Sequence, residues 1–415
     1  MRKKLVFLTV LFFILVLSGC NLFQTNNDDN AGSSDTVLVS YEQVTTLSVQ
    51  VLDQYLGILS TQWNALYGIT LDSLIEATQY DVRIYKVIYK TYFKGEPVIV
   101  SGAVVIPETP GPYPVVSYQR GTIFRSQDAP SQFTTLFSGV PILVWGIVFS
   151  SSCGHVCSAP DLLGFAESRD IFHPYHHASD ADTCVNMLRA TREVCNDLNV
   201  ELTNEYFLAG YSEGGYVTMA LLKQITRKHK YEFPLVAVSI GGGAHDILST
   251  MQQWLQGTVY PYTPIICFVI QGYLEYYDMD RNLNEIFQSP YAERLRDGLL
   301  KTEELDHFAL ADQLTPFIEE LFTPQFLADF RGNGETQLKE ALEENNLLKG
   351  WFPFAPVRIY QGNFDQIIPY SNFQAAHQYF GMFPYVQCIP LEGRSHGDGN
   401  FLFFIETVNW FSTFQ

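Results

Sequence analysis

Six short apolar runs, Val115–Tyr118, His155–Ala159, Tyr206–Ala209, Leu235–Ile240, Val357–Tyr360 and Val386–Leu391, are separated by stretches of helical character. Brief apolar runs without polar alternation read as strands buried on both faces. Strands that alternate with helices pair in parallel and must be covered on both sides, so the expected class is α/β with a mostly parallel central sheet and helices on both faces. Upstream, Asp81–Phe93 sets Val82, Ile84, Lys86 and Ile88 at the period of a half-exposed strand, and Gly95-Glu96-Pro97 turns the chain into Val98–Pro107. These two runs predict an antiparallel hairpin at the sheet edge. Cys184, Met187, Leu188, Thr191 and Cys195 form one apolar stripe of a connecting helix.

The alternation stops between about Ala244 and Gly350. Glu303–Leu310, Pro316–Phe330 and Glu335–Leu348 read as helices, with a turn at Gly332-Asn333-Gly334. An insertion after the sixth strand-forming run and before the seventh lies over the C-terminal edge of the sheet. Residues 244–350 are therefore expected to form a helical cap, dividing a core of residues 41–243 and 351–415. A helical domain unconnected with any site is the alternative.

The pentapeptide Gly210-Tyr211-Ser212-Glu213-Gly214 directly follows the strand-like Tyr206–Ala209 and opens an apolar helix. Small residues around a serine permit the sharp strand-to-helix turn that exposes its Oγ, and the helix N-terminus favours developing negative charge. A hydroxyl needs a base, and partners on such a sheet follow in the order Ser, acid, His. His396, in Gly393-Arg394-Ser395-His396-Gly397, is the one histidine after the last strand-forming run, and Asp365 follows Ile359-Tyr360-Gln361-Gly362-Asn363-Phe364 at the end of the seventh. Ser212, His396 and Asp365 are thus the expected nucleophile, base and orienting acid. Asp398 and Glu392 are rival acids, placed too near His396 in sequence to reach it easily. The expected oxyanion donors are the backbone N–H of Glu213 and that of Gly121 or Thr122, in Gln119-Arg120-Gly121-Thr122 after the third run.

The N-terminus reads as targeting. Arg2-Lys3-Lys4 precedes an apolar run from Leu5 to Leu17, too short for a membrane span and suited to a signal peptide over residues 1–19. Leu17-Ser18-Gly19-Cys20 resembles the lipobox of bacterial lipoproteins, which implies a lipidated Cys20, a tether through residue 40, and an extracytoplasmic chain anchored to a bacterial membrane. The net charge is −19 and falls to −22 without those three cations, which opposes binding to nucleic acid. Six cysteines follow Cys20, and sequence cannot choose among their pairings. Cys157, Cys267 and Cys388 lie in strand-like runs and read as buried free thiols. No metal site is expected: Cys153 and Cys157 lack partners at zinc-ligand spacing, and His173-Pro174-Tyr175-His176-His177 reads as a loop before the helix at Asp180.

From Val98 onward the chain resembles α/β-hydrolases of the secretory lipase kind. The resemblance rests on Ser101–Pro107, Tyr118–Thr122, Ala159–Phe165, His173-Pro174-Tyr175, Gly210–Gly215 and Asp365–Pro369. It implies the α/β-hydrolase fold, hydrolysis of a lipid or small-molecule ester without a cofactor, a Ser212–Asp365–His396 triad, and a helical cap shaping the acyl site. Relatives often carry His where this chain has Arg120. Asp161 reads as structural. A serine peptidase on the same fold and a non-catalytic binding lipoprotein are the competing functions. Acyl chain length and oligomeric state are not written in the sequence.

Overall fold

The computed structural model describes residues 36–138 and 142–414. The signal segment, Cys20 and the first part of the tether lie outside the described residues. Nine strands form one sheet: β1 (Leu38–Leu47), β2 (Val82–Phe93), β3 (Glu96–Pro107), β4 (Tyr113–Gln119), β5 (Val156–Pro160), β6 (Leu202–Tyr211), β7 (Leu235–Gly241), β8 (Val357–Gly362) and β9 (Val386–Leu391). Their order is β1-β2-β3-β5-β4-β6-β7-β8-β9. From β5 through β4 to β9 every pairing is parallel, while β1, β2, β3 and β5 pair antiparallel. This is the α/β-hydrolase arrangement anticipated from the apolar runs.

Two expectations needed revision at the edge. The β2–β3 hairpin turns at Lys94 and Gly95, both at positive φ as a tight hairpin requires, but it is not the edge, because β1 pairs outside it. Leu38–Ser40, read as tether, are already strand. Most of β1 is partly or fully exposed, and Val37 and Leu38 donate their N–H groups to Glu193, fastening the start of the strand to the helix His177–Asp197.

Side chains alternate across the central strands, as the two-residue strand period demands. Tyr206 and Leu208 enter one apolar cluster, whereas Phe207 and Ala209 enter the other. The first face is covered by the helices His177–Asp197 and Glu213–Gln224, and the second by Val49–Tyr67, Val144–Cys153 and His396–Phe411. Both faces are thus dry, and the chemistry is confined to the strand ends.

Between β7 and β8 lie short helices, including Ile247–Gln256, Thr263–Tyr276, His307–Asp312, Ile318–Leu321, Pro324–Arg331 and Thr336–Glu344. The expected helix Pro316–Phe330 is broken because the chain turns extended at Phe322 and restarts with Pro324 at the first helical positions. Cys267 was read in a strand-like run but sits in the helix Thr263–Tyr276. That helix is apolar on nearly every side, so its sequence carries no 3.6-residue period. Among the described residues none of the six cysteines forms a disulfide, and five of them are buried. No helix there is long and apolar enough to cross a membrane.

Candidate active site

Ser212 sits where β6 ends and the helix Glu213–Gln224 begins, at φ 63° and ψ −125°. A serine holds such backbone angles only where its surroundings over-determine them. Here the Ser212 N–H donates to the Gly241 carbonyl at 2.9 Å, and its own carbonyl receives the N–H of Gly215 at 2.9 Å. The flanking glycines are needed for room. A Cβ on Gly214 would lie 2.0 Å from the Gln119 carbonyl oxygen, and one on Gly210 would lie 2.3 Å from that of Gly214. Strand, turn and helix therefore pass closer together than any side chain allows.

His396 opens the helix His396–Phe411 beyond β9. Its Nε2 is 2.9 Å from Ser212 Oγ and its Nδ1 is 2.7 Å from Asp365 Oδ2. The Asp365 side chain is fully buried in the loop after β8, where Oδ1 accepts the N–H groups of Ile367 and Ile368 at 2.9 and 2.8 Å. Two backbone donors on one oxygen leave the other facing the imidazole. Tyr211, next to the serine, donates its hydroxyl to the His396 carbonyl at 2.9 Å and packs its ring beside the imidazole. Asp398 is engaged elsewhere, closing a capping box with Ser395 at the start of its helix. Glu392 accepts from the Asn363 amide. Neither rival acid faces His396.

The loop after β4 runs beside the serine, for a Cβ on Gly121 would lie 3.7 Å from Ser212 Cβ. Beneath this loop lies a buried charged cluster that sequence reading did not anticipate. The Arg120 side chain is fully buried, and its Nη1 is 3.1 Å from Oε1 of the equally buried Glu213. The same Nη1 donates to the Gly121 carbonyl at 2.9 Å, while Nε and Nη2 donate to the Asp161 carbonyl at 3.1 and 2.9 Å. The guanidinium lies 4.4 Å over the Phe165 ring. Burial alone would raise the Glu213 pKa, but Arg120, His173 and the Thr122 hydroxyl hold it down to about 2. Burial pulls His173 toward its neutral form, yet the facing Glu213 carboxylate overrides this and keeps its pKa above the ordinary value. Asp161 is structural in its contacts: it accepts from the Ser101 hydroxyl at 2.6 Å and the Ser131 N–H at 2.8 Å.

The three histidines of the His173–His177 stretch part company. His173 meets Glu213, His176 caps the helix His177–Asp197 by accepting from the Ser179 N–H, and His177 meets Asn345. Among the described residues no group of three or more His, Cys, Asp or Glu is placed to hold a metal.

Residues of the 244–350 segment reach this site from above. The Trp254 indole N–H donates to the Ile367 carbonyl at 2.7 Å, and the Tyr260 hydroxyl to the same oxygen at 3.3 Å. Tyr262 receives the Gln366 amide, and the ring of His307 lies 5.6 Å from that of Phe124. Two cavities of about 270 and 240 Å³ flank Phe124. The first is lined by Thr122, Gln127, Phe133, Leu143 and His307, and the second by Phe165, Phe172, His173, Phe268 and Leu300.

The secretory lipase family profile matches residues 129–383. Lipase 10 of Candida albicans is 28% identical over 203 residues, which are 47% of this chain and 42% of that protein, so the match spans less than half of the relative. Among solved structures, lpg1103 of Legionella pneumophila is similar with a TM-score of 0.79 at 23% identity, covering 91% of this chain and 98% of that one. The rice cell wall degrading esterase LipA of Xanthomonas oryzae gives 0.77 at 23% identity, over 92% and 97% of the two chains. Candida antarctica lipase A gives 0.61 at 16% identity, over 87% and 77%. At these identities the structural likeness bears on fold alone.

Proposed function

The chain belongs to the secretory lipase family, and from that premise we propose that it hydrolyses carboxylic esters through Ser212, His396 and Asp365. The observation that carries the proposal is the unbroken relay of 2.9 and 2.7 Å from a strained serine through an imidazole to a buried carboxylate. Ser212 Oγ attacks the ester carbonyl as His396 Nε2 takes its proton. The carboxylate of Asp365 fixes the imidazole tautomer and stabilises the imidazolium. The tetrahedral oxyanion is received by the Glu213 N–H and by an N–H of the loop after β4. His396 then returns the proton to the departing alkoxide, leaving an acyl group on Ser212. Water, activated by the same imidazole, releases the acid and restores the serine. No cofactor enters any step.

The segment 244–350 serves as a cap over this machinery, and the cavities beside Phe124 receive the apolar part of the ester. The chain is exported by residues 1–19 and held by a lipidated Cys20 on a bacterial membrane, at its periplasmic face or at the cell surface. The similarity to Lipase 10 accords with ester hydrolysis.

The test uses a chain-length series of p-nitrophenyl esters together with a fluorophosphonate probe. Wild type is expected to turn over the esters and to be labelled once. Ser212→Ala is expected to lose at least about 10⁴-fold in kcat and all labelling. A Ser212→Ala protein hydrolysing at the wild-type rate refutes the proposal.

A further inference from the structure

We propose that Arg120, acting through the Glu213 carboxylate, is the positioning residue that holds the two halves of the oxyanion hole together, and that Thr122 supplies the second N–H donor. The inference rests on the ester-hydrolysis reading and adds to it a role for a charged cluster that the triad does not use. The two halves come from different elements. Glu213 opens the helix after β6, and Gly121-Thr122 leaves β4. The parallel pairing of β4 with β6 ends at Gln119 and Gly210, short of both donors, so the last few tenths of an ångström that oxyanion binding needs must be set by side chains.

Arg120 fixes both. Its Nη1 donates at once to the Gly121 carbonyl, 2.9 Å away, and to Glu213 Oε1, 3.1 Å away. Its Nε and Nη2 each donate to the Asp161 carbonyl, and its face rests on Phe165. A planar fork held by four hydrogen bonds has little rotamer freedom left. The carboxylate it holds belongs to the residue whose own N–H lies at the elbow. His173 completes the cluster: Nδ1 donates to the Leu163 carbonyl at 2.7 Å, and Nε2 stands 3.1 Å from Glu213 Oε1. The ring is stacked on Phe268 of the 244–350 segment.

The carbonyl held by Arg120 also decides which N–H of the loop is presented. In a trans peptide the C=O of one residue and the N–H of the next point in opposite directions. The Gly121–Thr122 bond is not among the cis peptides. With the Gly121 oxygen turned down onto the buried guanidinium, the Thr122 N–H is turned the other way, out of the buried cluster. Gly121 itself borders Ser212 Cβ, so the next N–H along lies at the serine. The sequence left Gly121 and Thr122 as equal candidates, and the direction of this carbonyl favours Thr122.

A lysine at position 120 keeps the charge and loses the fork. Arg120→Lys is expected to lower kcat on a p-nitrophenyl ester about 10²-fold, the scale of losing one oxyanion donor, with KM within about threefold because ground-state binding is untouched. Glu213→Gln keeps the shape and the N–H but leaves an amide where a carboxylate serves Arg120 and His173. It is expected to lower kcat at least about tenfold, since charge-assisted bonds are about twice as strong as neutral ones. A purely structural role would not move the next readout. A trifluoromethyl ketone forms a tetrahedral adduct on the serine, and its Ki should weaken in step with kcat/KM across wild type, Glu213→Gln and Arg120→Lys. Each protein is checked by circular dichroism, and if Arg120→Lys does not fold, Glu213→Gln decides. Variants with wild-type kcat and ketone affinity overturn the inference while an inert Ser212→Ala leaves ester hydrolysis standing. An active Ser212→Ala overturns both.

Discussion

Replacing Asp365 by asparagine separates the charge of the relay from its shape, because the structure dictates how the amide must sit. Oδ1 accepts two backbone N–H groups, at 2.9 and 2.8 Å, so an asparagine keeps its carbonyl oxygen on that side. Its NH₂ then faces His396 Nδ1, 2.7 Å away in the native pair, and donates to it. An imidazole that accepts at Nδ1 carries its proton on Nε2, the atom 2.9 Å from Ser212 Oγ. That nitrogen can no longer take the serine proton. In the Ser-His-Asp template this tautomer error lowers kcat about 10⁴-fold, which at 1.36 kcal/mol per decade is about 5.5 kcal/mol of barrier. The two backbone bonds persist, so Tm should move by only a few degrees. The assay is steady-state hydrolysis of p-nitrophenyl butyrate by Asp365→Asn and Asp398→Asn side by side, with thermal melts as control. If Asp365→Asn stays within tenfold of wild type while Asp398→Asn falls by about 10⁴, the acid has been assigned to the wrong loop.

Asp180 offers a pH-dependent effect on stability. Neither of its oxygens has a hydrogen-bond partner among the described residues, and burial pushes its pKa from 3.8 up to about 7. The folded state therefore holds a proton that the unfolded chain has released between those values, so this residue's contribution to stability falls as pH rises from about 4 to about 7 and is flat above. Asp180→Asn should remove that slope and be relatively more stable at pH 8 than at pH 4.5, by up to about 3 kcal/mol in urea unfolding; an equal difference at both pH values rejects the reasoning. Trp254→Phe deletes the 2.7 Å bond to the Ile367 carbonyl and should cost about 1 kcal/mol of stability with a roughly threefold to tenfold loss of kcat through a looser Asp365 loop; unchanged kcat in stopped assays would detach the indole from the relay. Among the described residues Cys153, Cys157, Cys184, Cys195, Cys267 and Cys388 form no disulfide, so Ellman's reagent should react little with the native protein and count these six in denaturant, with or without prior reduction. A count that rises only after reduction would reveal a disulfide.

The sheet and the meeting of Ser212, Asp365 and His396 were legible because both are written locally. Tyr206–Ala209 followed by the Gly210–Gly214 motif specifies strand, turn and helix within a dozen residues, and the order of Ser212, Asp365 and His396 follows from the order of strands. What could not be read depends on exposure or on distance along the chain. β1 pairs on the open edge and alternates weakly, so its apolar pattern is diluted. Cys267 lies in a helix too uniformly apolar to show a period. The Arg120–Glu213 pair spans 93 positions, and only the sheet topology brings β4 beside β6. The sequence carried one signal of it, an arginine inside the otherwise uncharged stretch Tyr113–Phe124, a charge that needs a buried partner.

The carbonyl of Ile367 gives the 244–350 segment a meaning beyond coverage. Trp254 and Tyr260 reach down to that one oxygen, and the same short loop donates two N–H groups to Asp365. The segment is thus not an interchangeable module. A chimera that grafts the corresponding insertion of another hydrolase onto this sheet must bring a donor for Ile367, or transplant residues 363–369 along with it. Loop exchange between relatives would otherwise alter proton transfer while intending to alter only substrate choice. The natural unit of recombination in this chain is the segment together with the acid's loop.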